Sequence, residues 1–210
     1  MDLSDSEAFE QFLENGMGYE IIEKDMPYYR WSITYSKSEM TDAINSNLTA
    51  RIEAAPDSIR LINEAGEAVE FISDEEAAIG EVESIEVAER GESGVVKKLI
   101  MTGSEATIEV IGQTNIRNLI SPQNVSIVRQ DGTEVKGWTS LPSPYYMVEK
   151  LGDEYVVRGG GFGHGVGMSQ NGARALAEKG YNCKYILKYY FDNIAIRFTY
   201  TIDDDEEVED

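Results

Sequence analysis

The spacing of apolar and polar residues changes several times along the chain, and each change marks an element. Serines and acids at Ser4, Asp5, Ser6 and Glu7 precede Phe9, Phe12 and Leu13 at helical spacing, which predicts a short amphipathic helix. Residues 27–35 are aromatic and β-branched and predict a strand, after which Ser36-Lys37-Ser38-Glu39 opens a second helix with Met40, Ala43, Ile44 and Leu48 on one face. Residues 49–80 are the least patterned, with Pro56, Gly66, Gly80 and scattered acids, and predict a surface insertion with some strand. From 79 to 110 short alternating runs (Val82/Ile85/Val87, Val95/Val96/Leu99/Ile100, Ala106/Ile108/Val110) are broken by Gly91, Gly94 and Gly103, as in antiparallel strands. A short helix carrying Arg117 is expected at 112–120 and further strands at 125–128 and 145–148, after which Tyr155-Val156-Val157-Arg158 leads into Gly159. Helices at 169–179, closed by Gly180, and at 184–191 follow, then a strand at 194–202.

These elements predict an α+β fold, mainly antiparallel sheet, barrel-like or saddle-shaped, flanked by several short helices. Residues 1–48 and 111–202 are expected to form one domain and 49–110 a β-rich insertion or lobe, with 203–210, acidic at seven of eight positions, a solvated, disordered tail.

Charge narrows the function classes. With 39 Asp and Glu against 18 Lys and Arg, the net charge of −21 repels phosphate backbones and anionic lipid, so no nucleic-acid partner is expected. Cys183 is the one cysteine and His164 the one histidine, too few for an internal disulfide or a closed zinc site, and Cys183 is expected to be a packing residue of its helix. No apolar run reaches the roughly 20 residues of a membrane helix. The first residues lack the character of a secretion signal, so the chain reads as intracellular or as a piece of a longer exported protein.

The candidate chemistry lies in Gly161-Phe162-Gly163-His164-Gly165-Val166-Gly167. Glycine at every second position leaves one face bare if the segment is extended, so that a backbone or ligand approaches closely. On one reading another element packs there and His164 is a hydrogen-bonded core histidine. On the other, His164 joins Ser169 and Gln170, at a helix N-terminus, in holding a hydrogen-bonding ligand such as a sugar. No register of the glycines gives G-x-G-x-x-G and no G-K-[ST] occurs, so no nucleotide cofactor is expected. Met168, Ala173, Leu176 and Ala177 form one helical stripe and Tyr185, Ile186, Tyr189 and Tyr190 another, both expected in a core, with tyrosines in reach of a carbohydrate groove.

Residues 159–177, Gly-Gly-Gly-Phe-Gly-His-Gly-Val-Gly-Met-Ser-Gln-Asn-Gly-Ala-Arg-Ala-Leu-Ala, closely resemble the signature of the stage II sporulation protein D family, which includes amidase-modifier proteins. Ile116-Arg117, Leu141-Pro142-Ser143-Pro144-Tyr145-Tyr146, Ile186-Leu187-Lys188-Tyr189-Tyr190-Phe191 and the aromatic strand Arg30-Trp31-Ser32 agree in order. The resemblance implies a substrate-binding part of a lytic transglycosylase acting on peptide-stripped peptidoglycan strands. Its alternative is a non-catalytic glycan-binding or amidase-modulating module. It further implies His164, Ser169, Gln170, Arg117, Ser143 and Tyr146 as substrate-binding residues, with close backbone approach at Gly161, Gly163, Gly165 and Gly167. A wall amidase, or an N-terminal segment of the same parent protein, would be the partner, in an extracytoplasmic or wall-facing location. The family's catalytic glutamate sits in a Glu-Met-Pro segment. Ser38-Glu39-Met40-Thr41 mimics that segment only superficially, so the resemblance identifies no catalytic residue beyond His164 as a candidate, and it implies no structural zinc. The acidic surface is expected to disfavour peptide-bearing strands relative to stripped ones.

Overall fold

The computed structural model describes residues 2–15, 21–71 and 77–197. The chain divides into two compact units, Met1–Gly165 and Val166–Asp210.

The first unit holds ten strands in two five-stranded antiparallel sheets. One is built from β1 (Trp31–Ser36), β7 (Ile127–Arg129), β8 (Glu134–Val135), β9 (Tyr146–Leu151) and β10 (Glu154–Gly159), in the order β8-β7-β1-β10-β9. The other holds β2 (Ile59–Ile62), β3 (Ala68–Val69), β4 (Val82–Arg90), β5 (Val96–Gly103) and β6 (Thr107–Ile111), in the order β3-β2-β6-β5-β4. The fold is thus α+β and dominated by antiparallel sheet. The barrel-like form is corrected: among the described residues both sheets stay open, each ending on one side in a two-residue strand that cannot sustain closure.

The helix α1 (Ser6–Asn15) buries Phe9, and α2 (Lys37–Ala54) buries Met40, Ile44 and Leu48 at the predicted spacing. Ser36 and Glu39 form a reciprocal capping box at the start of α2. Its inward face meets β1 and β10 of one sheet and β4 of the other, so one apolar core runs from Ile33 and Val157 to Leu99 and Ile108. A third helix, α3 (Gln113–Asn118), lies against β5 and β6.

Several sequence expectations shift for identifiable reasons. The strand expected from 27 begins at Trp31, because Pro27 leads a turn in which the Tyr29 N–H donates to the Met26 carbonyl at 2.9 Å. Within the least patterned stretch residues 64–70 are exposed, while Ile59 and Ile79 are fully buried and β2 is an inner strand of its sheet. Residues 194–197 are irregular rather than strand, and the rest of that expected strand, with the acidic segment 203–210, lies outside the described residues.

Three tyrosines of the first sheet end in the core on backbone acceptors. The hydroxyls of Tyr35, Tyr146 and Tyr155 donate to the carbonyls of Ile120, Ile116 and Val82 at 3.2, 3.1 and 3.1 Å. Burial pushes all three hydroxyl pKa values up, which keeps them protonated donors. At the end of the sheet, Trp31 pairs with Gly159, where a Cβ would stand 2.3 Å from the indole; only glycine admits the ring.

In the second unit, Ser169 caps α4 (Gln170–Glu178) by accepting from the Gly172 N–H at 3.1 Å. This helix ends in a Schellman motif: Gly180 is left-handed, its N–H reaches the Ala177 carbonyl, and the Tyr181 N–H reaches Leu176. Asn182 then caps α5 (Cys183–Tyr190). Leu176 and Ile186 are the buried side chains on the two predicted stripes, whereas Met168, Ala177, Tyr185 and Tyr189 are exposed. Tyr181 and Tyr185, four residues apart, stack with centroids 4.2 Å apart, so the tyrosines pack on one another. The expectation for Cys183 is also corrected: it is exposed, because it opens α5 instead of sitting on that helix's inward face.

The capping box sets a measurable dependence. Hydrogen bonds from the Ser36 backbone N–H, then its hydroxyl, hold the Glu39 carboxyl below the ordinary glutamate range. A depressed carboxylate stabilises the fold above its unfolded pKa and loses that contribution as pH falls through the folded value. In urea denaturation at neutral pH, Ser36→Ala is expected to cost about 1 kcal/mol. The stability gap between the natural chain and Glu39→Gln is expected to close as the solution is taken below the ordinary carboxylate range. A gap that persists in acid would mean that the carboxylate does not anchor the cap.

Candidate functional site

The foundation of the glycine segment is Arg117 on α3. Its Nε donates to the Leu141 carbonyl at 2.9 Å and its terminal nitrogen to Pro142 at 3.1 Å, while the Leu141 N–H donates back to the Arg117 carbonyl at 3.0 Å. Burial lowers the pKa of this guanidinium, and two buried carbonyls supply the acceptors it needs. The loop so fixed carries the glycine segment. Pro142 accepts from the Gly163 N–H and Tyr145 from the Gly160 N–H, both at 2.9 Å, and the buried Ser143 hydroxyl donates to the Gly160 carbonyl at 2.6 Å. From the other side, Tyr28 accepts from the Gly161 N–H at 2.8 Å and the Trp31 indole donates to the Gly161 carbonyl at 3.1 Å.

Glycine recurs here for a reason other than a bare strand face. Gly161, Gly163 and Gly165 have φ of +82°, +110° and +73°, and Gly167 of +90°. The segment is irregular, and each glycine occupies backbone space that an L residue enters only with strain. At Gly161, Gly163 and Gly167 an added Cβ would meet nothing within 4 Å, so close packing is not the requirement there. Gly165 differs: a Cβ would stand 2.3 Å from the Tyr145 ring, whose hydroxyl donates to the Gly165 carbonyl at 3.3 Å.

The residues between the glycines are presented to solvent. Phe162 is 62% exposed and His164 is exposed, which removes the core-histidine reading. Phe162 is one of three converging aromatic rings. It stacks on Tyr28 at 5.2 Å and 27° and meets Trp138 edge-on at 5.6 Å, while Tyr28 and Trp138 are 5.3 Å apart. The shelf and the imidazole belong to the same unit, and Phe162 and His164 to one stretch of backbone. Aromatic faces offer apolar contact and an imidazole offers both a donor and an acceptor, the combination a sugar ring uses.

The other residues singled out from the sequence take distinct places. Arg117 and Ser143 spend their polar groups inside the fold and shape the loop. Tyr146 is fully buried, its hydroxyl on Ile116, and supports the site from beneath. Ser169 and Gln170 open α4 in the second unit. Glu39, held ionised as a helix cap, is unsuited to act as a general acid, which needs a raised pKa. Among the described residues no group of three His, Cys, Asp or Glu side chains could hold a metal ion, and no helix is long and apolar enough to cross a membrane. The shelf itself had no sequence signal, since Tyr28, Trp138 and Phe162 are brought together only by the sheet and its loops.

Residues 1–167 match the family described as Domain of unknown function (DUF8618). The chain belongs to this family. Within it, this DUF8618 chain is also related to curated proteins of the stage II sporulation protein D type. It is 28% identical over 195 residues, 89% of its own length, to the amidase enhancer of Bacillus subtilis (strain 168). To stage II sporulation protein D of the same organism it is 31% identical over 96 residues, 46% of its length, and to that of Bacillus amyloliquefaciens 35% identical over 65 residues, 31% of its length. These alignments span only 27%, 28% and 19% of the relatives' own lengths.

Replacing Gly163 or Gly165 by alanine separates conformational strain from steric crowding. Gly163→Ala is expected to cost roughly 1–2 kcal/mol, the cost of placing an L residue in left-handed backbone. Gly165→Ala should cost more, because it also displaces the Tyr145 ring. Equal losses in thermal or chemical denaturation would show that Tyr145 moves aside freely.

Proposed function

We propose that this chain is a cell-wall glycan-binding module that grips a sugar ring between the Phe162 shelf and His164. The observation that carries this reading is Phe162, held 62% exposed against Tyr28 and Trp138 by a backbone whose glycines fix its direction. What sets Phe162 apart from other exposed apolar side chains is its grouping with two more rings, and such apolar patches at the surface mark ligand grooves. The names of the related proteins, an amidase enhancer and stage II sporulation protein D, support a role connected with the cell wall. They favour an extracytoplasmic setting for the parent protein.

The finer reading is that the module supplies the substrate-gripping part of a lytic transglycosylase acting on stripped glycan. Cleavage requires a carboxylic acid kept protonated to meet the glycosidic oxygen. Grip, rather than proton transfer, is what the described residues are equipped to supply. The amidase enhancer, aligned over 89% of the chain, favours a second reading in which the same surface presents glycan to a wall amidase.

Peptide-stripped glycan strands are the test ligand, with His164→Ala and Phe162→Ala as variants. Each substitution is expected to weaken binding by roughly tenfold, about 1.4 kcal/mol. Mass spectrometry of the same mixtures for anhydro-ended fragments separates cutting from holding. Binding that both variants retain unchanged would overturn the proposal. Amidase stimulation that survives His164→Ala would move the function to another surface.

A further inference from the structure

A cavity of about 220 Å³ lies between α1 and the first sheet, lined by Glu10, Leu13 and Glu14 on one side and by Trp31, Val128 and Met147 on the other. Three of the chain's nine arginines, Arg30, Arg129 and Arg158, also line it. On a molecule of net charge −21 this gathering of guanidinium groups runs against the overall field.

The three arginines are not equally occupied. Arg30 gives its nitrogens to the carbonyls of Leu13, Tyr29 and Phe12 at 2.6, 2.9 and 2.8 Å and stacks on the Tyr29 ring. Arg158 is shared among Glu10, Glu14 and Glu149 at 3.1, 3.7 and 3.2 Å. Arg129 has neither a carboxylate at ion-pair distance nor a hydrogen-bond acceptor among the described residues. Its guanidinium sits 5.6 Å above the Tyr28 ring and its Nε is buried without a partner. The Nε of Arg158 is buried and unpartnered as well. Arg60 and Arg90 carry an unpartnered Nε elsewhere in the fold, but at this cavity two lining arginines do so together, and an acceptor that arrives from outside would answer Arg129.

We propose that this cavity is a carboxylate subsite, with Arg129 as the partner of the anion and Leu13, Trp31, Val128 and Met147 as the seat for the short hydrocarbon part of the ligand. A guanidinium offers its Nε and a terminal nitrogen as a planar fork that fits the two oxygens of a carboxylate. At this volume, below the roughly 300–1,000 Å³ of sites that enclose a whole ligand, the cavity takes a small organic acid or one acidic group of a larger molecule. A free hydroxy acid and a sugar-borne lactyl ether share the chemistry required. The second source rests on the glycan reading above, because removing the peptide from a wall strand leaves a free lactyl carboxylate on its muramic residues. The local arginines would then reverse, at one point, the repulsion between an acidic protein and an acidic polymer.

The experiment titrates the full chain with N-acetylmuramic acid, D-lactate and N-acetylglucosamine, following backbone NMR resonances around Val128–Gln130 and Trp31, for the natural protein, Arg129→Gln, Arg129→Lys and His164→Ala. N-acetylmuramic acid is expected to move these resonances and N-acetylglucosamine to leave them in place. Arg129→Gln should weaken the acid at least about tenfold, the worth of a charge-assisted bond, with Arg129→Lys in between. D-lactate binding as tightly as the sugar acid assigns a free acid, and tighter binding of N-acetylmuramic acid assigns the glycan-borne group. Failure of both acids to bind, or unchanged binding in a folded Arg129→Gln protein, overturns the proposal. Retained binding of N-acetylmuramic acid in His164→Ala, whatever happens to stripped strands, separates this site from the His164 surface.

Discussion

The candidate site depends on how a stretch of backbone without secondary structure satisfies its polar groups. Between Gly160 and Gly165 the chain bonds to the side chains of Ser143, Trp31 and Tyr145 and to the backbone of Tyr28, Pro142 and Tyr145. Such a loop holds a fixed shape only if these partners are themselves fixed. Arg117 fixes Leu141 and Pro142, and the sheet fixes Trp31 through its pairing with Gly159. The exposed position of Phe162 and His164 is therefore a consequence of buried hydrogen bonds some distance beneath them.

Those buried bonds need a stable platform, which the three tyrosines of the first sheet help to provide. A buried hydroxyl must find an acceptor, and each of these finds a carbonyl outside its own sheet, on or just after α3 or on β4. The same side chains thus fill the core and fix where α3 stands relative to the sheet. Because α3 carries Arg117, the placement reaches the glycine segment. Tyr146 illustrates the point: the sequence context marks it as a site residue, and its contribution is made from inside the fold.

What the sequence disclosed divides along physical lines. Local signals were legible: the start of α2 at Ser36–Glu39, the helical spacing of Met40, Ile44 and Leu48, and the aromatic, β-branched run of β1 each depend on residues a few positions apart. The glycine run was legible as unusual but not in its cause, because glycine at alternate positions looks the same whether a bare strand face or repeated left-handed backbone requires it. The values of φ decide for the second. The aromatic shelf was invisible, since Tyr28 and Phe162 lie far apart in sequence and meet only after β1 and β10 pair. Sheet closure was likewise undetermined, because strand pattern specifies which residues face inward and not whether the edges meet.

The use of arginine follows from the acidity of the chain. Its acids outnumber its bases by about two to one, so an arginine held in the interior is not holding it for solubility. Arg90 lies 3.8 Å from the Phe9 ring and donates to the Gly94 and Tyr146 carbonyls, and burial pushes its pKa down to about 10, still charged at neutral pH. Arg30 holds the last carbonyls of α1, where a helix presents its negative end, and Arg158 holds Glu10 and Glu14 on the same helix. Three guanidinium groups thereby dock one acidic helix over the sheet. A lysine could supply the charge at each place, but not the flat stacking surface and divergent donors that let a single side chain meet a ring and two carbonyls at once. The fourth, Arg129, lines a cavity together with Arg30 and Arg158 and meets no carbonyl or carboxylate partner among the described residues, which is why its role is sought in a ligand rather than in the fold.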